Sequence, residues 1–399
     1  MPSSALSLGE RLLAEIHEES LDEVLRDIRT ENHSGCVTHV KEIDDLLDVF
    51  LGRTRAGDLP EQHTPAAQET GHSRRRQRLP VVEITSPSSG DGKTQLIYLI
   101  AAVSVLPASF KGVAVGGRDS AVVILDLDGR FDVDRLFDVA KGFVERILRP
   151  GQAAEETAQP GLEDQRPVIS DSSVASLITA ALQHVHIYRP QSSSALLATL
   201  RQLDAYLFNT TKHSSATRRL GAILLDSMSA FYYQDRLRDE LARTEEIGMS
   251  AGDIARARDG KTSFHLSVLY REICDELRRL QNVFDCAVLY TTWGINRVSG
   301  TAAPSFRPHL PPPWPTFPCV RIVVSRDSVR PFAPNASIMG MERDAPIRQS
   351  VVQQGKFSAW VDHWGAENWA PSVIAALNRM DGRGGFAFWV RDDGVFRDV

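Results

Sequence analysis

Val81-Val-Glu-Ile-Thr-Ser-Pro87-Ser88-Ser89-Gly90-Asp91-Gly92-Lys93-Thr94-Gln95 is the stretch on which the reading of this chain turns. Val81–Thr85 is a short β run, and Lys93–Leu106 is helical. The eight residues from Pro87 to Thr94 fit the phosphate-loop pattern Gly-x-x-x-x-Gly-Lys-Ser/Thr, except that Pro87 replaces the first glycine. The spacing has a chemical reason. Consecutive backbone N–H groups of Ser88, Ser89, Gly90, Asp91 and Gly92 curl around a phosphate, and the helix that follows presents its positive N-terminal end. Lys93 then reaches the β and γ phosphates, and Thr94 places its hydroxyl on Mg²⁺. The expected ligands are ATP and Mg²⁺. Lys93 is one of only seven lysines, against 38 arginines; a compact point charge stands where one is wanted. Pro87, with fixed φ and no N–H, alters the way the chain enters the loop. The competing reading is a chance Gly-Asp-Gly-Lys-Thr turn. The order strand, loop, helix speaks against it.

Outward from the loop, elements alternate. Continuous apolar strands are read at Ala121–Asp126, His184–Tyr188, Gly221–Asp226 and Cys286–Thr292, with helices at Val133–Leu148, Ser194–Phe208 and Ser263–Phe284. Apolar strands separated by helices call for an α/β fold: a mostly parallel sheet with helices on both faces. Val320–Ser325 and Phe386–Arg391 look like closing strands with no helix between them, which predicts an antiparallel edge. Two strands end in acids. Gly-Ala-Ile-Leu-Leu-Asp226-Ser227 has the form of a strand that carries a metal-side carboxylate, and Ile-Leu-Asp126-Leu-Asp128-Gly129 supplies a second acidic end. Either aspartate can instead cap the next helix.

The chain has 399 residues, 42% of them hydrophobic, and a net charge of −6. That is enough apolar residue for a sizeable core. Mild acidity excludes a protein that grips nucleic acid by bulk positive charge, though not one with a local basic loop. Four scattered cysteines form no Cys-x-x-Cys pair, so a zinc site is not expected. The acidic first thirty residues read as neither signal nor transit peptide, and no apolar run is long enough for a membrane helix. Residues 1–51 read as an N-terminal helical arm and linker, with capping boxes at Ser7–Glu10 and Ser20–Glu23. Residues 52–80 read as a disordered basic insertion ending in Arg74-Arg75-Arg76-Gln77-Arg78, either a nuclear import signal or a solvated linker. Residues 81–399 form the core, with loop insertions at 149–172, 294–318 and 327–356.

Several blocks together resemble the RecA-like recombinases, and among them the eukaryotic DNA-repair recombinase paralogues. Gly90-Asp-Gly-Lys-Thr-Gln95 is similar to the family phosphate loop, including the Gln after Thr. Val123–Leu136 resembles the family's second strand and following helix; Leu224-Leu-Asp226-Ser-Met-Ser-Ala-Phe-Tyr232 resembles the metal-side strand end and turn of the paralogues. Leu289–Thr292 is similar to the sensor strand and Gly385–Phe396 to the closing hairpin.

The resemblance implies a RecA-like ATPase core acting in double-strand break repair by homologous recombination. It further implies a place in the nucleus, within a hetero-complex of recombinase paralogues, on single-stranded or branched DNA. It implies nucleotide contact at Gln95 as well as the loop, and a metal-side role for Asp226 beside Thr94. Asp128 falls where recombinases carry a catalytic Glu, and Trp293 where the sensor is a polar amide; Trp accepts no hydrogen bond. With Pro87, these departures all weaken ATP turnover and leave binding intact. DNA-facing loops are implied at about 233–262 and 294–318, where Arg236, Arg256, Arg258 and Arg297 could meet phosphates. Acids interleave with the first set, so a solvated charged helix is the alternative. Two functions stand: a nucleotide-binding assembly subunit with at most a weak DNA-dependent ATPase, or a DNA-stimulated ATPase proper. A small-molecule kinase would need an arginine-bearing lid that the sequence does not offer.

Overall fold

The computed structural model describes residues 37–53, 79–148 and 170–397, less 246, 251, 254–255, 257–263, 302, 330–331, 333–334 and 336. The two capping boxes near the N-terminus and the Arg74–Arg78 cluster lie outside the described residues.

Among the described residues the main sheet has nine strands: β1 Val81–Ser86, β2 Ala121–Asp126, β3 Val185–Tyr188, β4 Leu220–Asp226, β5 Ala287–Trp293, β6 Val320–Arg326, β7 Lys356–Val361, β8 Phe386–Arg391 and β9 Gly394–Phe396. Their order across the sheet is β9-β8-β7-β6-β1-β5-β4-β2-β3. The run from β6 to β3 is parallel throughout. The run from β6 to β9 is antiparallel. Sequence and burial agree on why. β1, β2 and β4 are buried at every position, as strands covered on both faces must be. β7 alternates, burying Phe357, Ala359 and Val361 while its other positions are half-exposed, the pattern of a sheet packed on one side.

Nine helices are described as follows: α1 Lys41–Leu51, α2 Lys93–Val105, α3 Val133–Leu148, α4 Asp171–Leu182, α5 Ser193–Leu207, α6 Tyr232–Glu245, α7 Leu266–Phe284, α8 Ile338–Gln353 and α9 Pro371–Arg379. Side chains of α1 to α4 and Leu377 of α9 share one core with the sheet; those of α5 and α7 share a second with the other strand residues. α2 is apolar on all sides and buries Leu96 through Val105 without a break, because the sheet and its flanking helices enclose it. At Gly142 of α3 a Cβ would fall 1.8 Å from the Asp393 carbonyl, so only glycine lets this helix meet the β8–β9 turn.

The structure differs from the sequence reading in four places. Val37–Leu51 is part of the core rather than an arm: Val40, Ile43, Leu46 and Leu47 are fully buried. α4 begins at Asp171, inside the segment read as a loop, with Ser170 as N-cap. The Pro-rich 294–318 segment is anchored by buried Phe306, Leu310, Trp314 and Phe317, and the Trp314 indole donates to the Tyr270 carbonyl at 3.0 Å. Between the two closing strands lie α8, β7 and α9. α8 buries no residue, so it writes no apolar stripe into the sequence, and Pro346 in its middle argues against a helix.

Candidate nucleotide site

β1 ends at Ser86 and α2 begins at Lys93, so Pro87–Gly92 is a six-residue turn at the carboxyl end of the central parallel strand. Gly90 and Gly92 have φ of 82° and 92°, the left-handed region that glycine enters freely. At Gly92 there is no room for a side chain either: a Cβ would lie 2.8 Å from Phe357 Cδ1 and 3.0 Å from Phe388 Cζ. These two rings stack with centroids 5.2 Å apart and form the floor of the turn. The antiparallel strands therefore set the height of the loop.

Lys93 projects back over the turn. Its Nζ donates to Ser86 Oγ, whose hydroxyl donates to the Ser88 carbonyl at 2.7 Å. Burial lowers the Lys93 pKa, and the negative charges of Asp226, Asp91 and Asp128 oppose that shift. Three carboxylates thus face one ammonium.

β5 lies between β1 and β4, and Asp226 closes β4. Thr291 Oγ1 donates to Asp226 Oδ1 at 2.7 Å, and the Thr94 hydroxyl is near enough to help stabilise the charged carboxylate. Burial pushes the Asp226 pKa up and Asp128 adds to it; Thr291, Thr94 and Lys93 pull the other way. The structure thus brings Lys93, Thr94 and Asp226 together. A hydroxyl beside a carboxylate is an oxygen-only donor set, which suits Mg²⁺ carried on phosphates. Among the described residues no group of three or more His, Cys, Asp or Glu could hold a metal unaided.

The two aspartates of Asp126-Leu-Asp128 are used differently. Asp126 is 1% exposed and accepts the N–H groups of Arg130 and Phe131, both at 3.1 Å, and Arg189 Nε at 2.9 Å. It fixes the turn after β2. Asp128 is exposed on that turn, its charge felt by Lys93 and Asp226. Trp293 pairs with Ser86 in the sheet, donates its backbone N–H to Ser229 Oγ at 3.0 Å and lies near Tyr233, with ring centroids 6.4 Å apart.

Gln95 is drawn aside. Its Oε1 accepts from Arg135 Nε at 3.1 Å and Nη2 at 3.0 Å, and the same guanidinium holds the carbonyls of Arg391 and Asp392. The basic residues singled out in the sequence are dispersed. Arg236, on α6, pairs with Glu240 at 3.0 Å. Arg256 pairs with Asp253 at 3.5 Å. Arg297 is exposed on a two-residue ribbon that joins Phe306–Arg307. Arg258 lies outside the described residues. The 233–262 segment opens as a helix whose two aspartates are buried: Asp235 accepts from Ser193 and Tyr270, and Asp239 accepts the Leu266 N–H.

Sequence reasoning missed the partners that hold the site: Ser86 under Lys93, Thr291 against Asp226, and the bonds made by Asp126 and Asp91. Only Asp126 carried a signal, as the last residue of an acidic strand end.

No family model matches the chain. The chain is similar to the DNA repair protein XRCC2 homolog of Arabidopsis thaliana, 25% identical over 280 residues that take in 62% of this chain and 69% of the relative, and this likeness runs in the same direction as the resemblance to the recombinase paralogues.

Proposed function

We propose that this protein acts in DNA repair by homologous recombination, as a nucleotide-binding RecA-like subunit of a recombinase-paralogue complex in the nucleus that supports recombinase assembly on single-stranded DNA. The observation that carries the reading is the convergence of Lys93, Thr94 and Asp226 at the carboxyl ends of parallel strands, beneath a glycine turn that opens a helix. Bound ATP with Mg²⁺ would set its phosphates against the loop N–H groups from Ser89 to Gly92, the Ser88 N–H being held by Asp91. Lys93 would hold the β and γ phosphates, and Thr94 and Asp226 the metal side. The similarity to a relative named as a DNA repair protein supports the cellular process.

Binding rather than turnover is the proposed role. A shorter Asp128 stands on an exposed turn, Trp293 offers no acceptor toward a water, and Pro87 removes one loop N–H. In this reading nucleotide orders the loop and the strand ends, and the ordered face is what a partner paralogue meets. The active-ATPase reading has one observation in its favour, that the Asp128 charge bears on both Lys93 and Asp226. Purified protein, alone and with paralogue partners, should bind ATP and hydrolyse it slowly with or without single-stranded DNA. Rapid hydrolysis that Lys93→Ala abolishes would replace the assembly role with the enzymatic one.

A further inference from the structure

Asp91 sits inside the turn itself, where a charge of the wrong sign for phosphate needs a reason. Its side chain is buried, at 8% exposure. Oδ2 accepts the Ser88 N–H at 2.8 Å, and Oδ1 accepts the Arg326 N–H at 3.3 Å. One carboxylate therefore closes the turn on itself and ties it to the last residue of β6. The Arg326 guanidinium forms no ion pair with it and is turned elsewhere, donating to the Val352 carbonyl at 3.2 Å and lying 5.8 Å from the Phe357 ring centroid. Among the described residues no ion pair reaches Asp91, so its neighbours are two neutral amide dipoles and the field of Lys93.

The balance at the site follows. Lys93 contributes one positive charge, and the N-terminus of α2 about half of one. Asp91, Asp128 and Asp226 contribute three negative charges. Asp226 closes β4 and Asp128 is exposed on the turn after β2, where a magnesium ion or solvent would offset their charge, whereas Asp91 is fixed under the turn by its two amide bonds.

We propose that Asp91 sets the form in which this site accepts its ligand: its fixed charge makes the loop take a nucleoside triphosphate as the magnesium complex and reject the free polyanion. The inference rests on the nucleotide-binding reading above and specifies its ligand. The amide bonds explain why the residue is tolerated, because they preorganise a turn that has lost its first glycine.

The test uses the full chain and a fluorescent ATP analogue, titrated with magnesium and with EDTA, for wild type, Asp91→Asn, Asp91→Thr and Lys93→Ala. Asn keeps a carbonyl acceptor and Thr a hydroxyl acceptor; neither keeps the charge. The wild type should lose about a hundredfold in affinity in EDTA, and both Asp91 variants should recover about tenfold of that loss, the effect of one charge partly screened at close range. An unchanged magnesium ratio in both Asp91 variants, each with an intact melting transition, would overturn the proposal and leave Asp91 a structural staple. Wild-type affinity in Lys93→Ala would instead remove the nucleotide site, and this inference with it.

Discussion

Arg321 Nε lies 2.6 Å from Glu83 Oε2, in the body of the sheet and behind the candidate nucleotide site. Glu83 is on β1, and the same carboxylate accepts Thr292 Oγ1 at 2.7 Å and Tyr290 Oη at 3.2 Å. Arg321, on β6, also donates to the Pro315 carbonyl at 3.1 Å. Both side chains are less than a tenth exposed. The pair links the strand that ends in the glycine turn to its neighbours on both sides. A buried charge left without its partner costs about 3–5 kcal/mol. Glu83→Gln and Arg321→Met should each destabilise the fold by about that much in urea unfolding. The double variant should recover only part, because the amide at position 83 keeps one acceptor oxygen for the two hydroxyls of Tyr290 and Thr292. Single variants within about 1 kcal/mol of wild type would show that the pair contributes little.

The start of the described core hangs on one carboxylate. Asp44 accepts the N–H of Val37 at 2.9 Å, of Thr38 at 2.7 Å and of His39 at 3.0 Å, together with the Thr38 hydroxyl at 3.0 Å. Asp44→Ala strands buried donors, at about 1–3 kcal/mol for each group that water does not reach. The expected outcome is a loss of at least about 2 kcal/mol and faster protease cleavage near residues 37–40, with nucleotide affinity unchanged.

Acid should weaken the edge of the sheet. His186, on edge strand β3, bonds Ser215 Oγ at 2.9 Å and Tyr206 Oη at 3.1 Å. Burial lowers its pKa from 6.5 to about 4, and His213 and His184 push the same way. A base whose folded pKa is depressed binds fewer protons folded than unfolded. Its contribution is therefore complete above pH 6.5 and is lost as the pH falls towards about 4. His186→Asn should flatten the pH dependence of the urea midpoint across that window. Parallel profiles for variant and wild type would assign the acid sensitivity elsewhere.

In the proposed function, slow turnover follows from Asp128, Trp293 and Pro87. Asp128→Glu combined with Trp293→Gln should raise ATP hydrolysis by at least about tenfold, a modest share of what a placed base and sensor supply. Nucleotide affinity should stay within a factor of about three, since neither residue is assigned to phosphate binding. An unchanged rate would mean that Pro87 or the geometry of the turn is limiting instead.

The parallel half of the sheet was legible because strands buried on both faces are continuous apolar runs, as Ala121–Asp126 and Leu220–Asp226 show. The glycine turn was legible because left-handed backbone and close contact with Phe357 leave few choices of residue. Other parts obey rules that sequence spacing does not display. α8 buries nothing and so has no stripe to read. Trp314 is a core residue inside a proline cluster that looks like a loop. Gln95 has a familiar neighbourhood, yet its amide is claimed by Arg135, forty residues away in the chain. Side-chain partners such as Thr291 for Asp226 come from strand order, which the sequence predicts only as a class.

The proposed role requires that the Gly90–Thr94 turn bind nucleotide and that binding, not hydrolysis, be its work. The direct measurement is ATP affinity and ATP turnover on the same preparations of wild type and Lys93→Ala, with and without single-stranded DNA. Micromolar or tighter binding by wild type is expected, with a loss of about tenfold to a hundredfold in Lys93→Ala and turnover that DNA barely changes. Equal affinity in the two proteins, or DNA-stimulated hydrolysis on the scale of about one per second that Lys93→Ala removes, would contradict it.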